Sequence, residues 1–176
     1  MIRNQLNLFP ELDPYKTLIK DIDYIDLSTL KDLHPNHARL HDYSLLPKGR
    51  YILHKTGGIN PFREKMGAVF PFIKDLETGK NLSLNISKFY VRGGSIHAIN
   101  NGKHITVDIK MHRVTALAFV ENDCPEKKLV VDHINKDRLD YRVTNLRWAT
   151  SSQNNTGISR PRNECWEASR IKEGKL

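Results

Sequence analysis

Cysteine, tryptophan and long hydrophobic runs are all scarce in this chain. Its 176 residues include two cysteines, Cys124 and Cys165, without a CxxC pair, which argues against structural zinc and against a disulfide framework. No apolar run reaches the length of a membrane span, and "MIRNQLNLFPELDPYK" at the start has no apolar h-region, so neither a membrane protein nor a signal or transit peptide is predicted. An intracellular, reducing compartment is the simplest expectation, and which compartment stays open.

Acidic residues are also in the minority. The chain has 28 Lys and Arg against 20 Asp and Glu, a formal net charge of +8, and a length that suits one ordinary domain or a small domain with appendages. Residues 1–45 contain five of the basic and seven of the acidic residues, so the positive excess belongs to the remainder. A polyanion is therefore the first partner to consider.

The first two thirds of the chain divide into two patterns. Residues 1–45 contain "PYKTLIKDIDYIDLSTLKDL", whose apolar residues recur at roughly helical spacing and predict a helical arm that packs on the main body. Residues 46–110 have short apolar runs separated by Gly, Asn and Pro, with "ETGK" and "NNGK" as tight turns. This second region is predicted to form β-hairpins and is a candidate for target recognition.

Residues 111–157 predict a compact unit of two strands and two helices. "KMHRVTALAFVEN" has an apolar face typical of a helix, "KKLVVDHI" and "NLRWAT" indicate short strands, and a polar loop separates them. "TSSQ" matches a capping box, Thr150 with Gln153, at the start of a helix that ends near Gly157. The expected fold class is α+β, with this unit preceded by the hairpin region and the helical arm.

The polar residues of this unit suit metal-assisted chemistry. Asp132 and His133 lie at the exit of the first strand, where regular alternation would place them on opposite faces unless the strand ends there. Asp132 and Asn154 offer the hard oxygen ligands that Mg²⁺ accepts beside water and phosphate, while His133 is suited to act as a general base. The side-chain oxygen of Asn145 is the candidate to fix the ring of His133.

The segments "VDHI", "NLRW" and "SSQNN" resemble, in order and spacing, the signature of the HNH endonucleases of the homing type, which have a ββα-metal fold. The upstream "MHRVTALAFV" is similar to a helix of the same family, so the resemblance covers about residues 108–156. It implies that Asp132 and Asn154 hold one Mg²⁺ or Mn²⁺, that His133 is the base and that Asn145 orients it. The third motif residue is Asn here, a variant of the family pattern.

Two positions in this stretch are interpreted separately. Asp140 and Tyr141 stand where the family often has two asparagines, outside the four chemical positions. His112, which begins the apolar helix, is interpreted as a core-facing or capping histidine rather than as a ligand.

Residues 158–176 contain Arg160, Arg162 and Trp166 in two short alternating runs. They resemble the first two strands of the DNA-binding domain of plant ethylene-response factors, without its third strand and helix. The alternative is a basic tail with ordinary phosphate attraction. Further phosphate contacts are predicted for Arg138, Arg142 and Arg147. Such contacts would increase the affinity for DNA without giving sequence specificity.

These features predict a Mg²⁺-dependent HNH endonuclease that hydrolyses phosphodiester bonds in double-stranded DNA, as a monomer or homodimer, by nicking or by cutting. The alternative is a catalytically silent protein of the same fold that serves as a structural nucleic-acid-binding component of a larger ribonucleoprotein. An intact set of Asp132, His133, Asn145 and Asn154 favours the nuclease, and the short tail favours the alternative.

Overall fold

The computed structural model describes residues 17–34, 42–94 and 96–155. They form a small α+β structure with several short antiparallel sheets and few helices. The strands are β1 Tyr24–Asp26, β2 Tyr51–Gly58, β3 Phe70–Asp75, β4 Leu84–Ser87, β5 Tyr90–Gly93, β6 Ile96–Asn100, β7 Lys103–Val107, β8 Val130–His133 and β9 Leu146–Ala149. The α-helices are α1 Met111–Phe119 and α2 Ser151–Asn155, and four single 3₁₀ turns are formed by Leu27–Thr29, Tyr43–Leu45, Glu64–Met66 and Val143–Asn145.

The strands pair with near neighbours in the chain. β1, β2 and β3 form a three-stranded sheet, while β4 with β5, β6 with β7, and β8 with β9 form separate hairpins. The predicted turns are present: Asn101 and Gly102 have φ values of 49° and 74° between β6 and β7, and Gly79 has a φ of 68°. Asn and Gly tolerate this left-handed conformation, so "NNGK" and "ETGK" act as predicted.

The predicted N-terminal helix is wrong for the described residues 17–34. This segment contains β1, which pairs with β2, and a single bridge between Ile19 and Val120. The amide of Lys20 donates to the Phe119 carbonyl at 2.9 Å, and the amide of Glu121 donates to the Leu18 carbonyl at 2.8 Å. The main body thus offers backbone partners that outcompete helix formation, because local propensity is weak against tertiary pairing.

Helix α1 lies at the centre of the core. Eight of its nine residues are buried, and it packs against β2, β5, β8 and β9. A helix surrounded in this way needs internal partners for its polar residues, and Arg113 forms a buried ion pair with Asp32 from the N-terminal segment. The N-terminal segment is therefore part of the core assembly.

The unit around β8 and β9 has the predicted order of strand, loop, strand and short helix. β8 and β9 pair antiparallel, and α2 follows at once and packs against β8. The capping box is formed, since the amide of Gln153 donates to Thr150 Oγ1 at 3.2 Å and the amide of Thr150 donates to Gln153 Oε1 at 2.9 Å. The start of α2 is thereby held in place against the strands.

Two further expectations concern membranes and cysteines. Among the described residues, no helix has the length and apolar character to cross a membrane. Cys124 is buried. The predicted tail of residues 158–176 lies outside the described residues.

Candidate functional site

Asp132 and His133 occupy the last two positions of β8. Asp132 pairs across the ladder with Arg147, and His133 pairs with Leu146. Both side chains are buried, with exposed fractions of 4% and 5%. The strand ends at His133 and the two side chains have different neighbours, so they are placed for different roles.

The carboxylate of Asp132 is bound by two cationic side chains. Arg147 donates to Oδ2 from Nε at 3.0 Å and from Nη2 at 2.5 Å. Lys136 Nζ lies 3.1 Å from Oδ1 and 3.3 Å from Oδ2, and the lysine side chain is 48% exposed. Among the described residues, Asp132 Oδ1 is therefore contacted only by the solvent-exposed Lys136. If this lysine side chain moved away, the oxygen could bind a metal ion.

His133 has a buried imidazole with an unused nitrogen. Its Nε2 is buried and has no hydrogen-bond partner among the described residues. Burial lowers the pKa of His133 from 6.5 to about 4, and the carboxylates of Asp132, Asp140 and Asp137 oppose this shift without cancelling it. The ring is thus neutral near pH 7 and able to accept a proton.

Two aromatic neighbours complete the surroundings of His133. His112 is buried, as expected of a core-facing histidine, whereas sequence reasoning missed Tyr90. The ring of His112 lies 5.2 Å from that of His133, between centroids, and stacks on Tyr90 at 4.5 Å. Tyr90 is itself 6.1 Å from His133. The order "MHR" in the family-like helix was a signal for His112, but nothing in the sequence connects Tyr90, on a separate hairpin, with the site.

Asn145 holds the loop between the strands instead of the ring of His133. Its Oδ1 accepts from the Asn135 amide at 3.0 Å, and its Nδ2 donates to Asn135 Oδ1 at 2.9 Å and to the Asp140 carbonyl at 2.8 Å. No hydrogen bond joins the side chains of Asn145 and His133 in this part of the chain. The predicted contact is not made because the backbone of the loop and the side chain of Asn135 take up the donors and the acceptor of the Asn145 amide.

Asn154 lies on α2, exposed to solvent. It lines a cavity of about 200 Å³ together with Tyr90, His112 and Val131. The helix therefore brings the Asn154 amide to the side of β8 on which the aromatic neighbours of His133 lie.

Two of the arginines predicted to contact phosphate serve internal ion pairs. Arg147 binds Asp132, and Arg142 binds the fully buried Asp140 at 2.6 Å. Arg138 is exposed, with its guanidinium carbon 5.6 Å from the centroid of Tyr90. A buried carboxylate requires a cation, which is why Arg142 and Arg147 are drawn inward. Arg160, Arg162 and Trp166 lie outside the described residues.

A metal ion at this place would rely on few protein ligands. Within the described ranges, no group of three or more His, Cys, Asp or Glu side chains is arranged to hold one. Asp132 and Asn154 together offer a carboxylate and an amide oxygen, a set that suits Mg²⁺ or Mn²⁺ with most of its waters retained. Ligands of these two types suit a divalent cation held mainly by water and phosphate rather than a closed structural site.

The same stretch of chain matches a known family. Residues 110–156 match the model of the HNH endonuclease family. A curated protein of Acanthamoeba polyphaga mimivirus, "Uncharacterized HNH endonuclease L247", is 41% identical over 97 residues, which are 54% of this chain and 23% of that protein. This chain thus spans about a quarter of that relative's length, and the match supports an HNH endonuclease segment within it.

A solved structure is also similar to this chain. It is the HNH homing endonuclease I-HmuI, in a study of DNA binding and cleavage, with a TM-score of 0.43 and 22% sequence identity. The alignment covers 86% of this chain and 68% of that one. The resemblance of residues 158–176 to ethylene-response factors stays a prediction.

Proposed function

We propose that this protein is a metal-dependent DNA endonuclease in which His133 activates the attacking water. The observation that carries the proposal is a buried, neutral imidazole whose Nε2 has no hydrogen-bond partner among the described residues. Next to it along the strand is a carboxylate whose Oδ1 is contacted, among the same residues, by the exposed Lys136. The family match of residues 110–156 supports the same reaction class.

His133 supplies the proton acceptor. With a pKa of about 4 it stays neutral at pH 7, so it is available as a base over the whole physiological range. A base so far below neutrality binds the abstracted proton weakly, and contact with a phosphate would raise its pKa toward the working range. Tyr90 and His112 restrict the ring by packing against it.

Asp132 and Asn154 would hold one Mg²⁺ or Mn²⁺. When bound, the cation would stabilise negative charge on the phosphate and on the leaving oxygen. Arg147 fixes the direction of the Asp132 carboxylate by donating to Oδ2, and Lys136 contacts Oδ1. The carboxylate is thereby prepared for a cation before one arrives.

The partner is double-stranded DNA. A net charge of +8, concentrated after residue 45, favours a polyanion. Arg138 lies exposed beside Tyr90, close to the site, and Arg160, Arg162 and Trp166 remain candidates for further contacts. Arg142 and Arg147 are reserved for ion pairs within the protein.

The test is conversion of supercoiled plasmid to nicked circles with Mg²⁺ or Mn²⁺, with DNA binding recorded on the same samples. We expect His133→Ala to lower the nicking rate by roughly 10²–10⁴-fold while binding is retained, because a positioned general base contributes about that factor. His97→Ala, which removes an exposed histidine on β6, is the matched control and should nick at the wild-type rate.

Two outcomes would contradict the proposal. The first is nicking that persists in His133→Ala, which would place the base elsewhere. The second is tight binding without nicking under either metal, repeated on a diverse pool of DNA. That result would favour the structural, ribonucleoprotein role.

A further inference from the structure

The tip of the β4–β5 hairpin presents a large aromatic side chain in an unusual backbone conformation. Lys88 and Phe89 form the two-residue loop, with φ values of 48° and 72°. Such loops usually contain Asn and Gly, since a positive φ is unfavourable for bulky side chains. The side chain of Phe89 is nevertheless 72% exposed. The fold therefore holds an aromatic ring in solvent at a position where a glycine would be easier.

The surroundings of Phe89 combine apolar and basic side chains. An open cavity of about 360 Å³ lies between the hairpin and the loop after β8, and its lining residues are Ile86, Phe89, Lys136, Asp137, Arg138 and Leu139. Asp137 is paired with Arg63 at 2.5 Å, so its charge is compensated. With Lys88 in the turn, the net charge of the side chains around the Phe89 ring is positive.

This surface adjoins the candidate catalytic site. Tyr90 follows Phe89 directly, and its ring lies 6.1 Å from that of His133. Arg138, on the opposite wall of the cavity, contacts the same tyrosine. A ligand that touched both Phe89 and Arg138 would thus lie close to Tyr90, which neighbours His133.

We propose that Phe89 is a wedge that inserts between adjacent base pairs of duplex DNA next to the phosphate to be cleaved. The inference rests on the proposed nuclease function and adds a residue that distorts the substrate. Apolar side chains inserted in this manner unstack a base step and bend the duplex. Lys88, Lys136 and Arg138 would contact the phosphates on either side of the step.

A DNA duplex fits this surface better than a protein does. Protein interfaces are depleted of charged residues at their centre, whereas basic side chains here surround a single exposed ring. A wedge would also favour flexible steps such as TA and CA, because these cost least to unstack. The expected ligand is therefore duplex DNA with such a step at the nick.

The test uses the full chain with Phe89→Gly, a substitution that removes the ring and suits the positive φ, so folding should not be lost. Closed plasmid is relaxed by a metal-independent topoisomerase while the protein is bound in the presence of a chelator, the protein is then removed, and the change in linking number per bound protein is measured. Wild type should unwind the plasmid, and Phe89→Gly should bind within a fewfold and leave the linking number unchanged. Ile99→Ala, which removes another exposed apolar side chain from a hairpin, is the control and should behave as wild type.

Nicking with Mg²⁺ gives a second readout. Phe89→Gly should nick about tenfold more slowly, in keeping with what one aromatic contact to a base contributes, and Phe89→Trp should retain most of the rate. Unchanged unwinding by Phe89→Gly would overturn the wedge while wild-type nicking still supported the nuclease. Loss of unwinding without nicking by wild type would overturn the nuclease and leave the wedge. Self-association abolished by Phe89→Gly, with unwinding unchanged, would assign this surface to a second copy of the chain.

Discussion

His133 shows how burial determines the chemical state of a single residue. Its ring is surrounded by α1, by Tyr90 and by the end of β8, so the charged form loses its hydration. Three carboxylates nearby are insufficient to restore the ordinary pKa. An exposed histidine is half protonated at about pH 6.5, whereas the buried ring of His133 is still neutral at that pH and can accept a proton.

The first prediction concerns acid stability. In the unfolded chain a histidine has a pKa near 6.5, and in the folded protein that of His133 is about 4, so between these values the unfolded state binds more protons. The contribution of the neutral ring to stability is complete above pH 6.5 and is lost as pH falls toward 4, by up to roughly 3 kcal/mol. Urea unfolding of wild type and His133→Gln at pH 7.5, 5.5 and 4.5 measures this. The variant should lose less stability in acid, and equal losses would contradict the prediction.

The second prediction concerns Lys136 and the metal. Its ammonium group lies 3.1 Å from Asp132 Oδ1, the oxygen that a cation would take. Lys136→Gln should tighten Mn²⁺ binding about fivefold, because removing one exposed charge at this distance changes the free energy by about 1 kcal/mol. Calorimetric titration gives the affinity. Lys128→Gln, which removes the lysine of the ion pair with Asp123, is the matched control. Weaker Mn²⁺ binding by Lys136→Gln than by wild type would place the metal elsewhere.

At the scale of elements, the N-terminal segment and α1 depend on one buried ion pair. The Arg113 side chain is 4% exposed and that of Asp32 is 1% exposed. Arg113 Nε donates to Asp32 Oδ2 at 2.9 Å, Nη1 donates to the Leu129 carbonyl at 2.5 Å, and the guanidinium stacks 4.9 Å from Trp148. The pair thus joins the N-terminal segment, α1 and β9.

The third prediction follows from this burial. Arg113→Met should lower the free energy of unfolding by about 3–5 kcal/mol, because the buried carboxylate of Asp32 loses the arginine that pairs with it. Denaturant unfolding measures it, with Lys128→Met as the control at an exposed pair, where the loss should stay below about 1 kcal/mol.

A double variant separates charge from packing. Arg113→Met with Asp32→Asn should recover part of the stability, since the second change removes the buried negative charge that has lost its arginine. A double variant less stable than Arg113→Met alone would show that the packing of the arginine, not its charge, is the main contribution.

For the whole molecule, the number of candidate catalytic sites determines how many DNA strands one binding event can cut. Under the proposed function, the described residues hold one candidate base, His133, at one pair of strands, so one binding event would cleave one strand. The fourth prediction is that supercoiled plasmid becomes nicked circles before any linear form appears. The linear form should rise with protein concentration more steeply than the nicked form, as quantified on agarose gels. Linear product at the lowest concentrations, without nicked circles, would indicate a dimer that cuts both strands together.

Local chemistry in the sequence predicted several elements well. The turn at Asn101 and Gly102, the capping box of Thr150 and Gln153, and the strand that ends at His133 all depend on residues close to one another in the chain. Hydrogen bonds and dihedral preferences of neighbouring residues determine such features, so a sequence contains nearly all the information they need.

By itself the sequence also determined the reaction class to test, because Asp132, His133 and Asn154 occur at motif spacing. Tertiary structure alone decided what surrounds them: Tyr90 from a separate hairpin, Arg147 turned inward to Asp132, and Asn145 bound to the loop rather than to His133. It also made the N-terminal segment extended instead of helical. The reason is common to all four cases: buried charges and unpaired backbone groups must find partners, and which partners are within reach depends on residues distant in the chain.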